Sequence, residues 1–241
     1  VAGRFLYSFG DTRVVVDVTE TSKVGLSFSV SGHPYFTDGL YPLRHTSNHT
    51  YRIDFGDSAG GVSPWYQRLK ELDPEGKFDP DDLQVIEYNT ADSLYGSFEG
   101  ERRRFIRLGF EVYPGFFVGV LTQSPDIAVN AAIGKGAMSI IVVCGSNHTD
   151  EFTFSFVREE RPYLSFGLSS KGGDSMEHFY QNVQEYCPEL YLMEGDFSRI
   201  TFATPDLVIL PLQGFRFPVK RVSDDGPTVV PFPKRALLPS F

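Results

Sequence analysis

Long apolar runs are missing from this chain. No stretch approaches the roughly 20 consecutive apolar residues that a bilayer-spanning helix needs. The start lacks the signal-peptide pattern of charge, apolar stretch and small residues, which suits a mature fragment whose signal and anchor lie elsewhere. Positive charge is also short. Lys and Arg number 22 against 31 Asp and Glu, for a net charge of −9. That balance opposes nucleic acid, whose phosphates need a basic face. The single basic cluster, Arg102-Arg103-Arg104, reads as a solvated strand edge.

The motifs of common chemistries are absent as well. No Gly-x-Ser-x-Gly occurs, and Gly167-Leu168-Ser169-Ser170-Lys171 fails at its last position. Gly134-Lys135-Gly136 lacks the spaced first glycine and the hydroxyl residue of a phosphate loop. His45 and His49 stand at i and i+4 but on no helical stripe, so no zinc site is expected. No catalytic residue, metal site or cofactor is assigned. Asp73, Glu75, Asp79, Asp81, Asp82 and Glu87 supply hard oxygen ligands of the kind calcium takes, at a spacing that matches no EF-hand. They read first as a solvated acidic loop. Glu99, Glu101, Glu111 and Glu151 are the carboxylates a glycosidase would need to oppose across a cleft.

What is present is β-like. Aromatics make up 15% of the chain, with 22 Phe and 12 Tyr but one Trp, and these residues favour strands. Leu26, Phe28 and Val30 alternate with serines. Tyr51, Ile53 and Phe55 alternate with Arg52 and Asp54, and Phe152, Phe154 and Phe156 with Thr153 and Ser155. A period of two puts one face on a core and one in water. Two segments break the pattern. Ser63-Pro64 opens a helix over 63–72 with Trp65, Leu69 and Leu72 on one face. A second helix, 174–186, carries a stripe of Met176, Phe179, Tyr180, Val183 and Tyr186 and ends before Pro188. No sequence repeat is visible.

The run Tyr51-Arg52-Ile53-Asp54-Phe55-Gly56-Asp57-Ser58, with the later Phe110, Tyr113, Pro114, Gly115 and Phe117, resembles the signatures of a PKD domain. The resemblance implies an immunoglobulin-like antiparallel β-sandwich. Ile53 stands where that family has Trp, Ser58 where it has Gly, and the two signatures lie unusually far apart. The expected architecture is mainly β. A PKD-like sandwich would span 1–125, with a helical insertion at about 57–108. A second β-rich domain at 126–221 would carry helix 174–186, and a Pro-rich tail or linker would occupy 222–241.

Two Asn-x-Thr sequons, at Asn48 and Asn147, point to glycosylation and export. In an oxidising compartment Cys144 and Cys187 would pair, which the chain-entropy model values at roughly 4 kcal/mol; otherwise both are buried thiols. The expected function is therefore binding. The chain reads as an extracellular glycoprotein, secreted or the ectodomain of a membrane protein, engaging a protein or glycan partner at a cell surface in adhesion, receptor engagement or surface assembly. Tyr41, Trp65, Tyr66 and Tyr88 are the candidate aromatic anchors. A jelly-roll carbohydrate-active enzyme and a viral coat or attachment protein are the alternatives.

Overall fold

The computed structural model describes residues 1–56, 61–121 and 126–222. They divide into two compact units, Val1–Leu108 and Gly109 onward. The first unit contains β1 (Gly3–Phe9), β2 (Thr12–Val18), β3 (Lys23–Val30), β4 (Phe36–Ser47), β5 (Thr50–Ile53), helix α1 (Ser63–Leu72), β6 (Val85–Thr90), β7 (Ser93–Phe98) and β8 (Glu101–Leu108). Each strand pairs antiparallel with the next, and β1 pairs with β8, so the sheet closes into an eight-stranded barrel.

The second unit contains β9 (Gly115–Leu121), β10 (Ile127–Ile133), β11 (Ala137–Cys144), β12 (Asn147–His148), β13 (Phe152–Glu159), β14 (Ser165–Ser170), helix α2 (Met176–Tyr186), β15 (Arg199–Thr204), β16 (Leu207–Leu212) and β17 (Phe215–Arg221). Here too neighbours in sequence pair, β17 returns to β9, and the β10–β11 pairing closes the ring, with the two-residue β12 attached to β11.

These closed barrels replace the PKD-like, immunoglobulin-like sandwich that the sequence predicts. A sandwich stacks two open sheets, whereas here no edge is left within either ring. Alternation shows which face of a strand is buried, and that face is the same in both architectures. The supposed insertion at 57–108 holds α1 and β6–β8, so it completes the first barrel. The two halves of the PKD-like signature separate as well. Tyr51 and Ile53 lie on β5, but Phe110, Tyr113, Pro114, Gly115 and Phe117 belong to the second unit. Asp57 and Ser58 of the signature, and the tail beyond Val222, lie outside the described residues. The unit boundary falls at Leu108/Gly109, ahead of the position 125 that composition indicates.

The first interior is layered by register. Phe5 faces Val16, Val16 faces Leu26, and Val14 faces Phe28 across paired strands, all buried. Phe28 and Ile53 share this core. Pro64 fits the first turn of α1, whose cap residue is Val62 with no side-chain cap. Trp65, Leu69 and Leu72 are the buried face of α1. Trp65 reaches far enough inward to line an apolar cavity of about 10 Å³ with Val16, Leu26, Ile53, Ile86 and Phe105. With no polar partner for a water, such a void stays dry. In α2, Ser175 Oγ accepts the His178 N–H and caps the helix, while Phe179 and Val183 enter the second core.

The barrels repeat one another. Both consist of eight antiparallel strands in sequential order with a helix between the fifth and sixth. From the helix onward a constant offset along the chain takes Trp65 to Phe179, Leu69 to Val183, Ile86 to Ile200, Leu94 to Val208 and Phe105 to Val219. All ten of these side chains are buried.

Candidate functional site

The repeat extends to polar groups, which form two clasps in each barrel. In the first barrel Arg107 on β8 is fully buried. Its guanidinium donates to Ala91 O in the β6–β7 turn at 3.1 Å and 2.5 Å and to Ala2 O at 3.0 Å. It faces Asp92 at 3.4 Å and lies 4.7 Å above the Phe5 ring. In the second barrel Arg221 on β17 donates to Pro205 O at 2.9 Å and Pro114 O at 2.7 Å, pairs with Asp206 at 2.8 Å, and lies 4.7 Å above Phe117. In both turns a threonine hydroxyl, Thr90 or Thr204, accepts the N–H of the paired aspartate. A planar five-donor group suits this work because it ties the last strand, one turn and the entry to the first strand together.

The second clasp lies beside each helix. Tyr66 on α1 donates to the backbone oxygen of Asp82, and Tyr180 on α2 donates to that of Asp196, each 16 residues downstream. Both aspartates are buried. Asp82 accepts from Ser97 Oγ at 2.7 Å, Asp79 N at 2.9 Å and Gly100 N at 3.1 Å. Asp196 accepts from Met193 N at 2.8 Å and Gln213 N at 2.9 Å. The residue after each, Leu83 or Phe197, takes a positive φ, and its N–H bonds the sixth barrel strand's neighbour, at Ser97 O or Pro211 O. Burial pushes the Tyr66 hydroxyl up to about 12. Burial, with the charge of Asp196 second, raises that of Tyr180.

These contacts decide what the four candidate anchors do. Trp65 is buried, and its Nε1 donates to Asp38 at 2.6 Å; Tyr41 donates to the same oxygen at 3.0 Å. Trp65 packs edge to face with both Tyr41 and Phe55, which meet each other tilted, and Gly39, at φ 94°, leaves the space that the Tyr41 ring fills. Tyr88 is buried and donates to Val1 O at 2.7 Å. Burial raises its pKa, and that of Tyr41 for the same reason, aided by Asp38. All four side chains hold the first barrel together rather than standing out from it.

Three of the six acidic residues singled out in the sequence, Asp79, Asp82 and Glu87, are engaged within the barrel. Asp79 accepts from Asp81 N at 3.1 Å, Asp82 is enclosed, and Glu87 pairs with Arg102 at 2.9 Å. Among the described residues no group of three His, Cys, Asp or Glu is placed to hold a metal ion. Of the carboxylates considered for glycoside chemistry, Glu99 and Glu101 belong to the first barrel and Glu111 and Glu151 to the second. Arg158, at 2.6 Å, holds the Glu111 carboxyl below its usual range.

Cys144, at the end of β11, and Cys187, at the C-cap of α2, form a disulfide. Asn48, in the β4–β5 turn, and Asn147 are exposed. No described helix is long and apolar enough to cross a membrane.

Beneath the shared clasps the two barrels differ at one rim. The loop before Asp196 exposes Tyr191 at 74% and Met193 at 46%, and the adjoining β16–β17 hairpin exposes Phe215 at 75%. The corresponding positions in the first barrel are Lys77, Asp79 and Glu101. Sequence reasoning passed over Tyr191, Met193 and Phe215 because without the repeat there is no counterpart to set them against.

No family model matches the chain, and neither does any curated protein. Among solved structures it is similar to a DnaN sliding clamp (DNA polymerase III subunit beta) from Pseudomonas aeruginosa bound to griselimycin. That match has 10% identity, covers 96% of this chain and 60% of the clamp, and has a TM-score of 0.18. A DNA polymerase III beta chain from Streptococcus pneumoniae TIGR4 matches at 6% identity, covering 95% of this chain and 60% of that one, with a TM-score of 0.15. The chain spans about 60% of the length of these structures.

Proposed function

We propose that this chain is a binding protein of an oxidising, extracellular compartment, in which one barrel scaffold is used twice and recognition is carried by the surface where the two copies differ. The observation that carries this reading is the division of labour among polar side chains. The buried charged ones, Arg107, Asp82 and Asp196, are occupied with backbone groups at the seam, loops and turns of the barrels. Arg221 and Asp206 repeat the arrangement nearer the surface. A scaffold whose buried charges are spent on its own backbone leaves its rims and loops to make contacts. The disulfide and the two exposed sequon asparagines support the compartment.

The test uses the full chain expressed through a secretory pathway. Enzymatic deglycosylation is expected to remove mass in two steps, one each for Asn48→Gln and Asn147→Gln. The immobilised protein is expected to bind a displayed peptide or a glycan-array member saturably, without altering it. Turnover of the bound molecule, or secreted material carrying neither glycan nor disulfide, would overturn the reading.

A further inference from the structure

We infer that the rim of the second barrel formed by Tyr191, Met193 and Phe215 is a docking surface for a protein segment that presents a large apolar side chain next to Lys or Arg. This rests on the binding reading above and gives it a location.

Three observations carry it. The first is divergence on a common scaffold. The offset that takes Tyr66 to Tyr180, Asp82 to Asp196 and Gly100 to Gly214 takes Lys77, Asp79 and Glu101 to Tyr191, Met193 and Phe215. The same rim is solvated by charge in one barrel and apolar in the other. A lone exposed apolar residue is ordinary, but a group of them where the fold readily accepts charge is not.

The second is preorganisation. A single oxygen of Asp196 accepts both Met193 N and Gln213 N, so the loop and the hairpin are pinned to one buried carboxylate. Gly214, at φ 73°, brings the hairpin backbone against the Met193 thioether, where an added Cβ would stand 3.4 Å from the sulfur. Phe215 shares the strand face of Phe217 and Val219, which are buried, but lies beyond the edge of the core at 75% exposure. A surface held this firmly loses little freedom on binding.

The third is charge. Glu189 and Glu194 flank Tyr191 and Met193, both exposed, and among the described residues neither is in an ion pair. A second copy of this chain would bring like charges together across a two-fold contact, and an anionic lipid surface would meet the same repulsion. A Lys or Arg beside an apolar anchor meets them with opposite sign.

The full-length protein is used to select from a displayed library of random peptides, and a synthetic enriched peptide is then titrated by fluorescence anisotropy. Enrichment of Phe, Leu or Trp beside Lys or Arg is expected. The double variant Met193→Asp with Phe215→Glu, which installs the first barrel's charges at exposed positions, is expected to weaken binding at least about tenfold at an unchanged melting temperature. Tyr191→Lys, outside the hairpin, provides a second variant should the first disturb folding. Enriched peptides whose affinity neither variant changes would overturn the site and leave the binding reading standing. Absence of enrichment would overturn both. Capture by phosphatidylcholine–phosphatidylserine vesicles that the variants abolish, without peptide enrichment, would overturn the partner chemistry.

Discussion

Arg107 and Arg221 occupy one position in two barrels, each with its guanidinium 4.7 Å above a phenylalanine of the first strand and in contact with an aspartate of the sixth-to-seventh-strand turn. The match covers the acceptors as well as the donors. Ala91 O and Ala2 O in one barrel correspond to Pro205 O and Pro114 O in the other. A barrel built of consecutive hairpins has one non-local seam, between its last and first strands. A cation there bonds the start of the first strand across that seam, so the closing step is reinforced by hydrogen bonds to charge, the stronger kind.

The two clasps differ in depth, and that difference sets their cost. The Arg107 side chain is fully buried, whereas that of Arg221 is 28% exposed. Arg107→Met takes the guanidinium away from the carbonyls of Ala91 and Ala2 and from Asp92 at a mostly buried site and is expected to destabilise by about 3 kcal/mol. Arg221→Met, with water at hand to replace the lost bonds, is expected to cost about 1–2 kcal/mol. Lysine restores neither, since it lacks the planar fork. Urea unfolding of the full chain followed by hydrogen exchange at β1 and β9 measures both values. Equal costs would show that depth does not govern the clasp.

Much of the local structure was legible in the residues. Alternation located the strands around Phe28, Ile53 and Phe154, and helical spacing located α1 and α2. Closure was not legible, because the pairing of β1 with β8 joins segments far apart in sequence whose alternation fits an open sheet equally well. The repeat was hidden for a related reason. Core positions exchange freely among Trp, Phe, Val and Leu when volume is compensated. What persists is a thin polar signal: Thr90-Ala91-Asp92, Gly100 and Arg107 against Thr204-Pro205-Asp206, Gly214 and Arg221. Tyr41, Trp65, Tyr66 and Tyr88 were read as anchors because composition marks an aromatic without marking its burial. The polar tips of these side chains turned out to be bonded inward.

Asp82 offers a sharper test than charge alone. Its carboxylate serves Ser97 Oγ, Asp79 N and Gly100 N. Asp82→Ala strands these donors in a buried site and is expected to cost about 3 kcal/mol. Asp82→Asn keeps one carbonyl oxygen for the two amides and can turn its NH2 toward the Ser97 hydroxyl, so about 1 kcal/mol is expected. Denaturant midpoints at pH 7 compare the two variants. An Asn variant as damaged as the Ala variant would mean that the negative charge, rather than the hydrogen-bond geometry, secures the loop.

Alkaline stability follows from the tyrosines. The pKa of Tyr66 is pushed up to about 12 from its ordinary 10.0, chiefly by burial, and Tyr41, Tyr88 and Tyr180 are raised for the same first reason. The folded state therefore holds these protons more tightly than the unfolded state does. Their stabilising contribution is complete below pH 10 and is lost as pH climbs above it, that of Tyr66 through about 12. The melting temperature is expected to be flat with respect to these groups at neutral pH and to fall steeply above pH 10. Tyr66→Phe is expected to make that fall shallower. Tyrosinate absorbance of the folded protein, compared with Tyr→Phe variants, should show Tyr41, Tyr66, Tyr88 and Tyr180 ionising only above pH 10. Ionisation of these four at or below pH 10 would contradict the inward bonding of their hydroxyls.

The disulfide belongs to the second barrel alone, since the first barrel has no cysteine. It joins the end of β11 to the end of α2 across 43 residues. Closing a loop of that length in the unfolded chain is worth about 4 kcal/mol in the entropy model, and removal of native bonds typically costs about 2–5. Trp65, the sole tryptophan, lies in the core of the first barrel and reports on that barrel only. Reduction, or Cys144→Ser with Cys187→Ser, is therefore expected to lower hydrogen-exchange protection in β11 and α2 while leaving the Trp65 fluorescence transition in urea where it was. If the Trp65 transition shifted by the same amount, the two barrels would be unfolding as one cooperative unit, and the second barrel's disulfide would be stabilising both.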